Sequence, residues 1–247
     1  MEHPRNDDPY RRMHYRRLIA WGPRIEREAP FLRQHLEGAP KRRVIDVGCG
    51  TGEHVAHLHE EGWDAVGIDR SEDQIAAARD HAGPDDRPRF LYGDVCALGE
   101  LDADRFGAAL CIGNVLPSFE NEDLERALEV LADRLLPDAP IIVQLLNFVP
   151  LLDGRKRHLP LNFRPDPDHE DEEIVWLRLV RPDGPDHVRF YPTTLRVRAA
   201  DEEPVRLERA QRTRMRAWRR EQLVPRFERA GFERIQIFGG MTGVDFD

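Results

Sequence analysis

The chain has 247 residues, a hydrophobic fraction of 40% and a formal net charge of −9 at pH 7. This length allows one substantial core with additions and does not require two independently folding domains. The negative charge disfavours binding of nucleic acid over the whole surface, and no apolar run is long enough to span a bilayer. We therefore expect one cytoplasmic domain without a membrane segment.

The predicted elements begin with a helical cap over residues 1–38, which breaks near Gly22-Pro23. Residues 41–150 then alternate strand-like and helix-like segments at the spacing of βαβ units. The predicted strands are 42–47, 63–69, 89–95, 106–114 and 139–148, and the main helices between them are 53–62, 71–82 and 121–137. Several strands are apolar on both faces, as in parallel sheets covered by helices. The pattern predicts a Rossmann-like, doubly wound α/β fold.

The sequence after residue 150 loses this alternation. Residues 151–218 predict an antiparallel β insertion, in which 173–180 and 187–198 form a hairpin and 205–218 form a third strand. Within that strand, "RTRMR" places Arg212, Arg214 and Arg216 on one face. Residues 219–247 predict a helix and a last strand, "ERIQIF", that completes a mostly parallel sheet of seven strands.

The three cysteines, Cys49, Cys96 and Cys111, are odd in number and lack CxxC spacing. We therefore expect reduced thiols. No His or Cys pattern has the ligand spacing of a metal site, so no metal is predicted.

A glycine-rich loop follows the first predicted strand. Its pattern is D-x-G-x-G-x-G, formed by Asp46, Gly48, Gly50 and Gly52. A phosphate-binding loop would continue with Lys-Ser/Thr and a dinucleotide fingerprint with glycine, whereas Glu53 follows Gly52. A carboxylate at the start of a helix also repels a pyrophosphate. The loop therefore favours a ligand without phosphate.

"VIDVGCGTG" resembles the first motif of class I S-adenosylmethionine-dependent methyltransferases, and the resemblance extends over roughly residues 40–150. It implies S-adenosylmethionine as cofactor, Asp69 as acceptor of both ribose hydroxyls, and Asp94 with Val95 as readers of the adenine edge. The predicted cofactor-binding residues are Arg24, Asp46, Gly48, Cys49, Gly50, Gly52, Asp69, Arg70, Asp94, Val95, Ile112, Gly113 and Asn114. For single residues a structural role is the alternative: Asp69 as a helix cap and Asp94 as a turn residue.

"CIGN" and the later "LLNF" are similar to the glycine N-methyltransferases and their bacterial relatives. That resemblance implies a closing tyrosine, Tyr10 or Tyr15, and an arginine, Arg24, that grips the cofactor's methionyl carboxylate. The alternative for Arg24 is an exposed arginine without a role. The sequence departs from the branch at Leu146, where the branch has an arginine for the substrate carboxylate, and at Ser118, where a histidine is common. Leucine cannot bind a carboxylate, so we expect a substrate other than glycine.

The resulting hypothesis is a small-molecule N- or O-methyltransferase whose acceptor lies between the N-terminal helices and the β insertion. Asn114 and Asn147 are the candidates for orienting the nucleophile, and a general base is needed only if the nucleophile arrives protonated. Candidate acceptor-contacting residues are Tyr15, Ser118, Leu146 and Tyr191. The alternatives are an RNA or protein methyltransferase that uses basic arms, and a non-catalytic cofactor-binding module. We expect no nucleic-acid or membrane partner, and a monomer or homodimer.

Overall fold

The computed structural model of the protein describes residues 15–83, 88–166, 168–200 and 202–246, and of Tyr15 the backbone alone. Its helices are α1 (Tyr15–Leu18), α2 (Trp21–Leu36), α3 (Glu53–Glu60), α4 (Glu72–Ala82), α5 (Leu98–Leu101), α6 (Asn121–Arg134), α7 (Val149–Leu152) and α8 (Arg220–Arg229). Its strands are β1 (Arg43–Val47), β2 (Asp64–Asp69), β3 (Arg89–Tyr92), β4 (Ala108–Cys111), β5 (Ile141–Val143), β6 (Asn162–Asp166), β7 (His169–Pro182), β8 (His187–Val197), β9 (Val205–Ala210) and β10 (Thr213–Arg216). Among the described helices, none combines the length and the hydropathy that a membrane crossing requires.

The described residues form two compact units. The parallel unit comprises Trp21–Leu146 and the described residues from Arg220 onward, and the antiparallel unit comprises the described residues up to Ala20 together with Asn147–Arg219.

The parallel unit is built on a five-stranded sheet with the order β3-β2-β1-β4-β5, in which all neighbours run parallel. The chain moves outward from β1 to β3 and then returns to place β4 beside β1. The carboxyl ends of β1 and β4 therefore form the switch point of a doubly wound sheet, where such folds bind ligands. The predicted fold class is confirmed.

The seven-stranded sheet is not found in the described residues, and the predicted last strand at residues 233–238 is wrong. That segment forms only an isolated bridge, Phe238 to Asp245. Ile235 and Ile237 stay substantially exposed, while the Phe238 ring packs edge-on against Phe31 at 5.3 Å. The partly buried Phe238 ring thus packs the segment against the core cluster, while the two isoleucines form no strand.

The parallel unit is held by helices that bury one face each. On α2 this face includes Phe31, Leu32 and Leu36, which pack with residues of β1, α3 and β4 in one core cluster. The helix break expected near Gly22-Pro23 lies earlier, at Ile19-Ala20. Proline is tolerated in the first turn because the N–H that it lacks has no partner there.

The antiparallel unit contains a sheet with the order β10-β8-β7-β6, and β9 also pairs with β8. The predicted hairpin is present as β7 and β8, in register from Glu173–Val197 to Pro182–Val188. The predicted strand at 205–218 is instead divided into β9 and β10, which pair with successive halves of β8. Arg212 therefore lies outside a strand, and only Arg214 and Arg216 remain in β10.

Candidate active site

The glycine loop lies at the carboxyl end of β1 and is tied to β2 by backbone hydrogen bonds. The N–H groups of Gly48 and Cys49 both donate to the carbonyl oxygen of Ile68, at 2.8 and 3.2 Å. The N–H of Gly50 donates to Oδ2 of Asp69 at 2.9 Å. The loop and the acidic end of β2 therefore form one structure, as the order of the motifs predicts.

Gly48, Gly50 and Gly52 all have positive φ, which side chains disfavour. Their surroundings differ. A Cβ at Gly48 would lie 2.6 Å from the Val115 side chain, and one at Gly52 would lie 2.6 Å from the Phe90 ring. A Cβ at Gly50 would approach nothing closer than Gln74, at 3.9 Å. Two of the glycines are thus required by packing within the protein, and only the backbone at Gly50 faces open space.

Asp69 ends β2 with its carboxylate held by two backbone donors. Oδ2 accepts from Gly50, and Oδ1 accepts from the N–H of Ser71 at 2.8 Å. These two bonds hold the carboxylate at the turn before α4, beside the glycine loop. The predicted contact of Asp69 with the ribose hydroxyls stays a prediction.

Asp94 follows β3 and is exposed, and its Oδ1 accepts from the N–H of Cys96 at 2.9 Å. This bond caps a short 3-10 helix, Val95–Ala97, whose first residue is buried. The turn-holding role is thus present in the structure and occupies one carboxylate oxygen.

Asp46 lies inside β1 and is 3% exposed. Burial raises its pKa to about 6, the carboxylates of Asp69 and Glu53 act in the same direction, and the charges of His54 and Arg24 oppose them. Its Oδ1 is buried with no hydrogen-bond partner among the described residues. Beside it, Cys49 is buried, and burial followed by the charge of Asp46 raises the pKa of this thiol well above its usual range. The Cys49 thiol is therefore neutral, and the predicted contact of this residue with the cofactor stays a prediction.

Arg24 reaches this edge of the sheet from α2. Its side chain is 15% exposed, its guanidinium lies over the Trp21 ring at 4.9 Å, and its Nε donates to Glu28 at 3.0 Å. Its Nη2 lies 3.9 Å from the position that a Cβ on Gly113 would take. Arg24 is therefore a largely buried side chain close to the residues after β4, and its contact with the cofactor stays a prediction.

The end of β4 is shaped by amides. The N–H of Gly113 donates to Oε1 of Gln144 at 2.9 Å, and Oδ1 of Asn114 accepts from the N–H of Leu146 at 3.1 Å. Both Gly113 and Asn114 have positive φ. The oxygen of Asn114 thus joins the chain after β4 to the chain after β5. Sequence reasoning missed Gln144, which holds the residue before Asn114.

The remaining predicted residues are more dispersed. Arg70 and Ser118 are exposed, and the Ser118 hydroxyl donates to the carbonyl oxygen of Val115 at 2.8 Å. Asn147 and Tyr191 belong to the antiparallel unit, and Oδ1 of Asn147 accepts locally from the N–H of Val149 at 3.1 Å. Tyr10 and the side chain of Tyr15 lie outside the described residues. The roles assigned to these residues stay predictions.

Residues 44–138 match the methyltransferase domain family. Over 184 residues the chain is 27% identical to a glycine/sarcosine N-methyltransferase of Aphanothece halophytica, and this match covers 71% of the chain and 69% of that protein. The homologous enzyme of Parasynechococcus marenigrum is 30% identical over 187 residues, with 71% and 66% coverage. The chain belongs to the class I S-adenosylmethionine-dependent methyltransferases. These two relatives confirm the resemblance of this methyltransferase to the glycine N-methyltransferase branch.

The fold of the methyltransferase is also that of a solved neighbour. CalS10, an amino pentose methyltransferase from Micromonospora echinaspora solved with S-adenosylmethionine bound, superposes with a TM-score of 0.70 at 20% identity, over 98% of this chain and 96% of that one. The cofactor of the methyltransferase is S-adenosylmethionine. The open side of Gly50, the carboxylate of Asp69 and the guanidinium of Arg24 offer surfaces that suit a nucleoside with a zwitterionic amino-acid tail.

Proposed function

We propose that this methyltransferase methylates an amine of a small molecule that is not glycine. S-adenosylmethionine supplies an electrophilic methyl group on a sulfonium, so the protein's own task is alignment and exclusion of water. In this proposal Asp69 accepts the ribose hydroxyls, Asp94 contacts the adenine edge and Arg24 binds the methionyl carboxylate.

The observation that carries the substrate proposal is Leu146. It occupies the place where the glycine-methylating branch has its carboxylate-binding arginine, and its backbone N–H is fixed by Oδ1 of Asn114. A leucine side chain there offers no charge-assisted hydrogen bond to a carboxylate. An acceptor amine without a neighbouring carboxylate, such as the amine of an amino sugar, suits this position. The similarity to CalS10 supports the same substrate class.

The basic segment 206–220 does not support a nucleic-acid substrate. Within the antiparallel unit, Arg214 pairs with Asp183 at 2.9 Å, and Arg216 and Arg219 both pair with Asp186, at 3.5 and 2.6 Å. Phosphate-binding surfaces need cations that are available to the phosphates. Three arginines of the segment are thus engaged in ion pairs within the protein, which favours a small-molecule acceptor over a nucleic acid.

The test is a methylation assay that follows S-adenosylhomocysteine release with glycine, sarcosine and a panel of small amines that includes amino sugars. We expect turnover with an amine of the panel and none with glycine. A Leu146→Arg variant is the matched control, since it restores the residue that the glycine branch carries. Robust sarcosine formation by the wild-type protein would contradict the proposal, and cofactor binding without turnover on any amine would favour a non-catalytic module.

A further inference from the structure

Glu28 is a buried carboxylate that connects two helices beside the glycine loop. It is 5% exposed and lies one helical turn after Arg24 on α2. The Nε of Arg24 donates to both of its oxygens, at 3.0 and 3.2 Å. On the other side, Nε2 of His54 in α3 lies 2.9 Å from Oε2. Glu28 therefore joins the arginine of α2 to a histidine at the start of α3.

The protonation of Glu28 decides the direction of these hydrogen bonds. Burial by itself raises the pKa of Glu28, but the hydrogen bond to His54 and the charge of Arg24 outweigh it, so the pKa lies below its usual value. Glu28 is therefore a carboxylate at neutral pH and can only accept hydrogen bonds. It follows that Nε2 of His54 carries the hydrogen and donates it to Glu28.

The guanidinium of Arg24 is held on two sides. Its Nε is bonded to Glu28, and its plane lies over the Trp21 ring, whose edge-on contact with the His54 ring has a centroid separation of 5.9 Å. Arginine has many rotamers, and ordering them when a ligand arrives costs affinity. In this arrangement the side chain is ordered beforehand, with Nη2 toward the chain that follows β4, near Gly113.

We propose that Glu28 and His54 are positioning residues that hold the Arg24 guanidinium ready for the carboxylate of S-adenosylmethionine. This inference rests on the proposed contact between Arg24 and that carboxylate. Glu28 binds Nε, and the two terminal nitrogens of the guanidinium form a second edge, which suits a bidentate carboxylate contact. Glu28 and His54 themselves do not touch the cofactor.

The test compares two ligands that differ in the amino-acid tail. S-adenosylhomocysteine has the carboxylate, whereas 5′-methylthioadenosine has the nucleoside and the thioether without it. We expect Glu28→Gln to weaken S-adenosylhomocysteine about tenfold in calorimetry and to change 5′-methylthioadenosine by less than about twofold. In an Arg24→Met background, Glu28→Gln is expected to have no further effect on either ligand.

Two further variants keep the outcome interpretable. His54→Phe retains the ring contact with Trp21 and removes the N–H donor, and we expect a smaller loss with the same ligand selectivity. Glu53→Gln is the matched control, because Glu53 is also buried beside the loop but accepts from Thr51. It is expected to change both affinities by the same factor.

Equal weakening of both ligands by Glu28→Gln, or a full effect of this substitution without Arg24, would overturn the positioning role alone. Failure of the wild-type protein to bind S-adenosylhomocysteine would instead overturn the cofactor contacts on which it rests.

Discussion

Replacing Asp46 by asparagine is expected to stabilise the free protein at neutral pH and to weaken cofactor binding. Asp46 is buried in β1, and burial raises its pKa from 3.8 to about 6. The folded state consequently binds more protons than the unfolded state between about pH 4 and pH 6, so the free energy of unfolding falls as pH rises through this window.

The size of the effect follows from the pKa difference. About two pKa units correspond to roughly 3 kcal/mol, which is fully present as a destabilisation above about pH 6 and absent below about pH 4. Asparagine is nearly isosteric and does not ionise. Asp46→Asn should therefore raise the free energy of unfolding by up to roughly 3 kcal/mol at pH 7.5 and by little near pH 4. Loss of the negative charge beside the glycine loop should at the same time reduce the affinity for the cationic cofactor.

Urea unfolding of wild type and variant at a series of pH values, followed by circular dichroism, measures the difference between their free energies of unfolding. The contributions of other titrating groups cancel in this difference, because both proteins contain them. Asp138→Asn is the control, because Asp138 pairs with Arg234 at the surface with both side chains 79% exposed. Exposed pairs contribute about 0–1 kcal/mol, so this variant should show little change at any pH. A stability difference for Asp46→Asn that is independent of pH, or a less stable variant at pH 7.5, would refute the reasoning.

Four other substitutions separate fold from site. Gly52→Ala should cost about 2–5 kcal/mol of stability, because it combines a positive φ with a collision against the Phe90 ring. Gly50→Ala should cost only about 1–2 kcal/mol and should mainly lower the affinity for the cofactor. Equal losses of stability for the two variants in urea unfolding would contradict this. Arg43→Ala should lower the free energy of unfolding by about 3 kcal/mol or more, since Arg43 and its partner Asp102 at 2.7 Å are both buried. It should leave the cofactor affinity unchanged, because Arg43 begins β1 and so lies at the end of the strand opposite the site. Asp69→Ala should weaken the cofactor more than tenfold in calorimetry with the fold intact in circular dichroism; unchanged affinity would remove the ribose assignment.

The core strands and helices of the parallel unit could be predicted because their signals are local. An apolar run followed by glycines and then an amphipathic segment predicts strand, loop and helix from the local hydrophobic pattern and from backbone preference. The same reasoning failed for residues 233–238, where alternating isoleucines predict a strand. A strand needs a partner edge, whereas this segment is held by ring contacts of the partly buried Phe238 with Phe31 and His35.

The order of motifs along the chain predicts that the glycine loop ends a strand, that Asp69 and Asp94 end the next two, and that these positions meet at one edge of a parallel sheet. Which glycines face protein and which faces open space depends on packing, since Val115 and Phe90 are distant in sequence from Gly48 and Gly52. Packing also brings His54 to Glu28, which lies 26 positions earlier in the sequence, and so links His54 to Arg24. Backbone preference acts within a few residues, whereas burial, side-chain contact and the pKa shifts that follow from them exist only once distant segments pack together.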